Sequence, residues 1–217
     1  MVHTVKQGDY FSKIAKQYGF GDWKTVWNDA QNAELKKKRQ NPNVLLPGDV
    51  VVIPDKKIKH ELIATEQRHR FSVRFLRLRL RIRLLGLDSK PAAGVNVDIT
   101  IDGSITPVTT SGKGEVEELL SPEAHKGLIQ FKDERMVFEQ QISIEVRVGH
   151  LDPIEENSGQ RGRLNALGYD AGDPAQVGDP NLAFRSAVEE FQCDQGLTVD
   201  GIVGPRTRKK LQDVYGC

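Results

Sequence analysis

Arg70-Phe-Ser-Val-Arg-Phe-Leu-Arg-Leu-Arg-Leu-Arg-Ile-Arg-Leu-Leu85 decides how the middle of this chain folds. From Leu76 the residues alternate without a break: Leu76, Leu78, Leu80, Ile82 and Leu84 share one phase, and Arg77, Arg79, Arg81 and Arg83 share the other. A period of two predicts a strand buried on one face only. The arginine face has two explanations, a site for an anionic polymer or a solvated sheet face neutralised by acidic residues on neighbouring strands. Asp98, Glu115, Glu117, Glu139 and Glu145 fall on or beside the polar phase of their own strands. At least two of them are therefore expected beside these arginines.

The chain has 217 residues, 28% of them charged, with a formal net charge of +1. That length suits two or three small domains, and the near-neutral balance argues against a general nucleic-acid binder. Cys193 and Cys217 are too few for a disulfide framework and lack metal-ligand spacing, so both are expected as free thiols, Cys193 on an apolar helical pattern. Met1-Val-His-Thr-Val-Lys6 has no apolar stretch after a basic start, and no run of 18 apolar residues exists. The expectation is cytoplasmic synthesis without a secretory signal or membrane span; delivery to the periplasm or wall then needs a non-Sec route.

On the N-terminal side, His3 to Asp9 predicts a short strand and turn. Phe11, Ile14, Ala15 and Tyr18 share a helix face ending at Gly19. Asp22 suits the N-cap of a second helix through Gln31, with Trp23, Val26 and Trp27 inward. After a polar, basic insertion, Leu46-Pro-Gly-Asp49 turns into the strand Val50 to Ile53. The predicted unit is βααβ, over 1–55. Thr4-Val-Lys-Gln-Gly-Asp9, Ser12-Lys-Ile-Ala15, Tyr18-Gly19, Asn32, Leu46-Pro-Gly-Asp49 and Ile53-Pro54 together resemble a LysM domain. The resemblance implies binding of N-acetylglucosamine polymers such as peptidoglycan or chitin. It places the groove between Gly8, Asp9, Tyr10 and Phe11 on one side and Asn32 with Leu46, Pro47 and Gly48 on the other. Two departures bear on that groove: Tyr10-Phe11 replaces the usual Thr-Leu, and Ala33 to Leu45 is longer than the family norm.

Residues 56–69 are expected as a linker, with a short helix at His60 to Thr65. Over 70–149, Val95 to Ile101 alternates, Asp102-Gly103 marks a hairpin turn, and Thr106–Thr110, Glu115–Glu117, Gly127–Phe131 and Gln141–Val148 complete a small β-sandwich. Lys90-Pro-Ala-Ala-Gly-Val-Asn-Val97 and the Gly-rich turn that follows resemble transthyretin-like or carboxypeptidase-regulatory-like sandwiches, which implies a spacer or docking surface.

Over 150–217, three helices are expected. The first runs from Gly159 to Leu167, the second is capped by Asn181 and runs to Gln195, and the third starts at Pro205. Arg163-Leu-Asn-Ala-Leu-Gly-Tyr169, Phe184-Arg-Ser-Ala-Val-Glu-Glu-Phe-Gln192 and Gly196 to Thr207 resemble the peptidoglycan-binding three-helix domain found beside many cell-wall hydrolases. That family carries an Asp-Gly-x-x-Gly-x-x-Thr turn twice. Here the second copy, Asp200 to Thr207, is intact, and the first is reduced to Gly178-Asp-Pro-Asn181. The glycan contacts expected on this module are Asp200 and Thr207 in the intact turn, and Tyr169, the aromatic near the reduced one. Asp200, Gly201, Gly204 and Thr207 equally suit a turn and a helix cap.

The five histidines form no metal-type pair, and no nucleophile elbow, phosphate loop or dinucleotide fingerprint exists. Glu155-Glu156 and Glu189-Glu190 are adjacent in sequence and do not converge as a glycosidase pair would. The expected whole is an α+β multidomain protein with no cofactor, a non-enzymatic binder of peptidoglycan or another N-acetylglucosamine glycan. Its rival is an adaptor: LysM proteins without signals resemble components of contractile injection systems such as type VI secretion, with spike or effector proteins as partners. Aromatic faces suit pyranose rings. Tyr10→Ala with Phe11→Ala is therefore expected to weaken glycan binding more than Asp200→Ala with Thr207→Ala.

Overall fold

The computed structural model describes residues 1–57, 60, 62–70, 78–86, 90–132, 143–173 and 182–217. Three separate hydrophobic cores organise them, one in each third of the chain. The result is an α+β, multidomain layout.

The first third is built as β1 (Val2–Thr4), α1 (Phe11–Gln17), α2 (Trp23–Trp27), a 3-10 turn at Ala30–Asn32, α3 (Ala33–Arg39) and β2 (Val50–Val52). β1 and β2 pair antiparallel with His3 opposite Val51. Phe11, Ile14, Val26, Trp27 and Val51 fill the core, and Phe11 meets Trp27 edge to face at 4.7 Å. Asp22 caps α2 by accepting from the Lys24 N–H, as its position predicts. The second helix nevertheless ends at Trp27, and Asp29 starts the 3-10 turn by accepting from the Gln31 N–H. The basic insertion then forms α3, a third helix. Leu35 is its only buried residue, so the segment lacks the apolar stripe by which a helix is read from sequence.

In the middle third β3 is Leu78–Arg83, and Leu78, Leu80 and Ile82 are less exposed than the arginines between them. β3 pairs with β6 (Glu115–Leu120) as a two-stranded sheet. A second sheet has the order β5-β4-β7-β8, from β4 (Asn96–Ile101), β5 (Ser104–Thr109), β7 (Lys126–Phe131) and β8 (Ser143–Arg147). Val116 on β6 and Leu84, just after β3, meet Val97, Ile99 and Ile129 of the second sheet in one core, so the two sheets form a small sandwich. Asp102 and Gly103 both take positive φ, 46° and 89°, and turn β4 into β5 with Ile101 opposite Ser104. Pro107 has no N–H to give a ladder and sits on β5 at one end of that order. Among the described residues between His60 and Thr65 there is no helix, contrary to expectation; Glu61 lies outside them. Leu76, Arg77, Glu139 and Gln141 also lie outside them.

The last third packs α4 (Asn157–Ala166), α5 (Leu182–Asp194) and α6 (Pro205–Tyr215) around Leu164, Phe184, Val188, Phe191 and Leu211. Pro205 opens α6, where its missing N–H costs nothing. The expected Asn181 cap and the reduced turn at 178–181 lie outside the described residues. Cys193 and Cys217 are both free, as expected, but Cys193 is exposed on α5, which corrects the burial that its apolar helical pattern implies.

Candidate functional site

The loop after β1 is the first candidate. Lys6 and Gln7 are exposed there, whereas Gly8 to Phe11 are buried, Tyr10 and Phe11 at 1% and 0% exposure. Phe11 belongs to the N-terminal core. Tyr10 points the other way, into the sandwich: its hydroxyl donates toward the Pro122 and Ala124 carbonyls at 3.0 and 3.1 Å. Burial, then Asp102 and Glu123, push that hydroxyl up to about 12. Lys16 pairs with Glu123 at 2.9 Å, and Gln7 reaches the His150 carbonyl. Gly8 lies against the His150 ring, and Gly149 lies against Tyr10 and the Gly8 carbonyl. The expectation that Tyr10 and Phe11 offer free aromatic faces is therefore corrected, because one ring is core and the other is a joint between domains.

Asp9 is buried and accepts from the Lys6 N–H at 2.9 Å, with His3 at 3.1 Å and Lys13 at 3.3 Å. Burial raises its carboxyl, and these three groups together outweigh that, leaving it below the usual range. Its work is to brace the loop. Asn32 is also buried, at 1% exposure. Its amide donates to the Val26 and Val52 carbonyls, and its Oδ1 accepts from the Val52 N–H. Both N–H groups and the oxygen of that side chain are engaged in tying α2 to β2, and at 1% exposure Asn32 presents nothing to a groove. Of the expected N-terminal contacts only Pro47 and Gly48 are exposed. Gly48 has φ of 92°, a left-handed conformation that suits glycine, in the turn closed by the Asp49 N–H on the Leu46 carbonyl.

The C-terminal candidate is the turn from Asp200 to Thr207. A residue not singled out from sequence, Gln192 on α5, organises it from below. Its Oε1 accepts from the Asp200 and Gly201 N–H groups, and its two amide N–H groups are shared among Asp200 Oδ1, the Ile202 carbonyl and Thr207 Oγ1, all within 3.1 Å. Asp200 also accepts from the Ile202 N–H, and this bond, with that of Gln192, holds its carboxyl below the usual range. Thr207 is buried, while Asp200 is exposed at the surface. Tyr169 is half-buried, edge-on to Phe191 and bonded to Asp194 at 2.9 Å. Burial, then that carboxylate, push its hydroxyl up to about 12.

The arginine strand is neutralised as expected. Arg79 pairs with Glu117, Arg81 lies 3.8 Å from the same carboxylate, and Arg83 lies 3.6 Å from Glu115. The register explains it, since Arg81 and Arg83 stand directly opposite Glu117 and Glu115. Two further arginines escaped the sequence reading because charged residues are seldom fully buried. Arg161 and Arg163 on α4 are each 1% exposed. Arg161 donates to Asn157 and the Ala171 carbonyl and lies over Phe184 at 4.8 Å. Arg163 donates to the main-chain oxygens of Asp152, Gly159 and Cys217. Of the carbonyls these guanidinium groups satisfy, those of Asp152, Ala171 and Cys217 lie outside the helices, and that of Gly159 lies within α4.

These folds and turns agree with the family comparisons. Residues 3–29 match the model of the LysM domain family, and residues 161–211 match that of a peptidoglycan binding domain family. The chain thus carries two modules of cell-wall-binding type, one at each end. No curated protein and no solved structure matches it. Among the described residues, no helix is long and apolar enough to cross a membrane.

Proposed function

We propose that this protein is a non-enzymatic peptidoglycan-binding protein that attaches through both end modules. The observation that carries this reading is the pair of cell-wall-binding modules, matched independently at 3–29 and 161–211. Two weak sites on one polymer reinforce each other through effective concentration, provided their spacing suits the strand. In this reading the accessible contacts are Pro47 and Gly48 on the N-terminal module, with Tyr169 and Asp200 on the C-terminal one. Gly8, Asp9, Tyr10, Phe11, Asn32 and Thr207 hold those surfaces in place. The test is retention of the intact chain on purified insoluble peptidoglycan, with each end module deleted in turn as comparison. Strong retention of the whole and weak retention of either truncated chain is expected; an intact chain that washes through ends the proposal.

One observation favours a second reading, that of a structural adaptor. The first loop of the LysM module is already occupied by Pro122, Ala124 and Gly149 of this same chain. A module used in that way can serve as an assembly element, with spike or effector proteins of a contractile injection system as its partners. Co-purification of such a protein with the chain, together with no retention on peptidoglycan, is the outcome that selects this reading.

A further inference from the structure

A groove of about 670 Å³ opens between α3 and the start of β2. Glu34, Leu35, Lys37 and Lys38 form its helical wall, a set that one face of a helix brings together. Gly48, Asp49 and Val50 form the other. Asp49 is buried and does not make the groove acidic. Arg39 engages its carboxylate at 2.6 and 2.9 Å, and Lys38 reaches it at 3.4 Å. Of the basic run Lys36 to Arg39, Lys36 turns to Asn28 and the Trp27 ring, and Arg39 is taken up by Asp49. Lys37 and Lys38 remain on the rim, both exposed. Lys37 has no hydrogen-bond or ion-pair partner among the described residues. Glu34 adds one exposed carboxylate, while Leu35 and the half-exposed Val50 supply apolar wall.

Among the described residues no aromatic ring lines this groove, and so they give it no platform for stacking a pyranose. Its chemistry is two ammonium groups and one carboxylate around a short apolar wall. We infer that the groove takes a short anionic peptide, the stem peptide of peptidoglycan, rather than the sugar chain. The free carboxylates of the peptide face Lys37 and Lys38, its amino group faces Glu34, and its aliphatic portions lie against Leu35 and Val50. The inference rests on the peptidoglycan reading and adds to it a site with a different ligand class. It also gives a role to the insertion that lengthens this module, since the insertion builds the helical wall.

The test titrates the full chain with a free stem tetrapeptide, by calorimetry or by amide chemical shifts, against Lys37→Glu and Lys37→Gln. Charge reversal at an exposed position, partly screened by salt, is expected to weaken binding roughly tenfold, and neutralisation roughly threefold. Because Lys37 is exposed and has no partner among the described residues, both variants are expected to stay folded, and Lys37→Gln to melt close to the wild type. Shifts in the wild type are expected at Lys37, Lys38, Gly48 and Val50. A wild type that does not bind the tetrapeptide, or a Lys37→Glu chain that binds it equally well, overturns the groove assignment. Retention on intact peptidoglycan judges the parent reading separately. A wild type retained on the polymer yet indifferent to the peptide loses only this inference.

Discussion

Asn32 and Gln192 have the same task in unrelated modules. Each is a buried amide whose oxygen and nitrogen tie a helix to a neighbouring segment, β2 in the first case and the turn at 200–207 in the second. An amide can accept and donate at once, which neither a carboxylate nor an ammonium group can do. Replacing Gln192 by Leu leaves the Asp200 and Gly201 N–H groups and the Thr207 hydroxyl without their partner. Each orphaned group costs on the order of 1 kcal/mol or more, so Gln192→Leu is expected to destabilise the C-terminal module by about 2–4 kcal/mol. Urea denaturation followed by the NMR signals of residues on α4, α5 and α6 measures it, since Trp23 and Trp27 of the N-terminal module would dominate fluorescence. A loss under about 1 kcal/mol would show that the turn holds itself.

At the scale of elements, α3 is the α-helix of the N-terminal module with least apolar anchorage. A single buried leucine and the pairing of Arg39 with Asp49 hold it. Burial raises the Asp49 carboxyl, but the Arg39 guanidinium, the Leu46 N–H and Lys38 outweigh it, and the folded value lies below 3.8. A carboxyl lowered in the folded state contributes stability above its unfolded pKa and loses it as pH falls through the folded one. The contribution is therefore complete above about pH 5 and fades below about pH 4. Amide hydrogen exchange across Ala33–Arg39 is expected to quicken on acidification from pH 6 to pH 3, after correction for intrinsic rates. In Asp49→Asn it is expected to be fast already at pH 6. Identical protection in the two proteins would mean that the ion pair is incidental.

For the whole molecule, the joint at Tyr10 decides whether the domains act as one body. Gly149 approaches so closely that a Cβ there would lie 2.7 Å from Tyr10 Cδ1 and 3.0 Å from the Gly8 carbonyl oxygen. Its φ of 75° is also unfavourable for alanine. Gly149→Ala is thus expected to part the N-terminal module from the sandwich while leaving both cores folded. Tyr10→Phe removes only the hydroxyl and is expected to cost about 1 kcal/mol. Small-angle scattering and the accessibility of the first loop to a protease report the opening. If Gly149→Ala keeps the wild-type scattering profile, the two domains are held by something other than this contact.

The sequence by itself determined the elements whose physics is local. Alternation placed β3 and its buried face, Asp102-Gly103 placed the hairpin, Asp22 the cap and Pro205 the start of α6. Motif spacing located both end modules. α3 was not legible because its helix is stabilised by Asp49, a residue ten positions away, and not by a stripe of its own. The burial of Arg161 and Arg163 was hidden for a similar reason, since the carbonyls that accept from them belong mostly to distant loops. The same holds for the candidate site. Sequence named Tyr10, Phe11 and Asn32 as groove residues from their place in a motif, and a motif records neighbours along the chain. Tertiary structure set the sandwich against the first loop and turned those three side chains inward. It left Pro47, Gly48 and the α3 groove facing solvent, because exposure depends on what packs across from a residue and not on what precedes it.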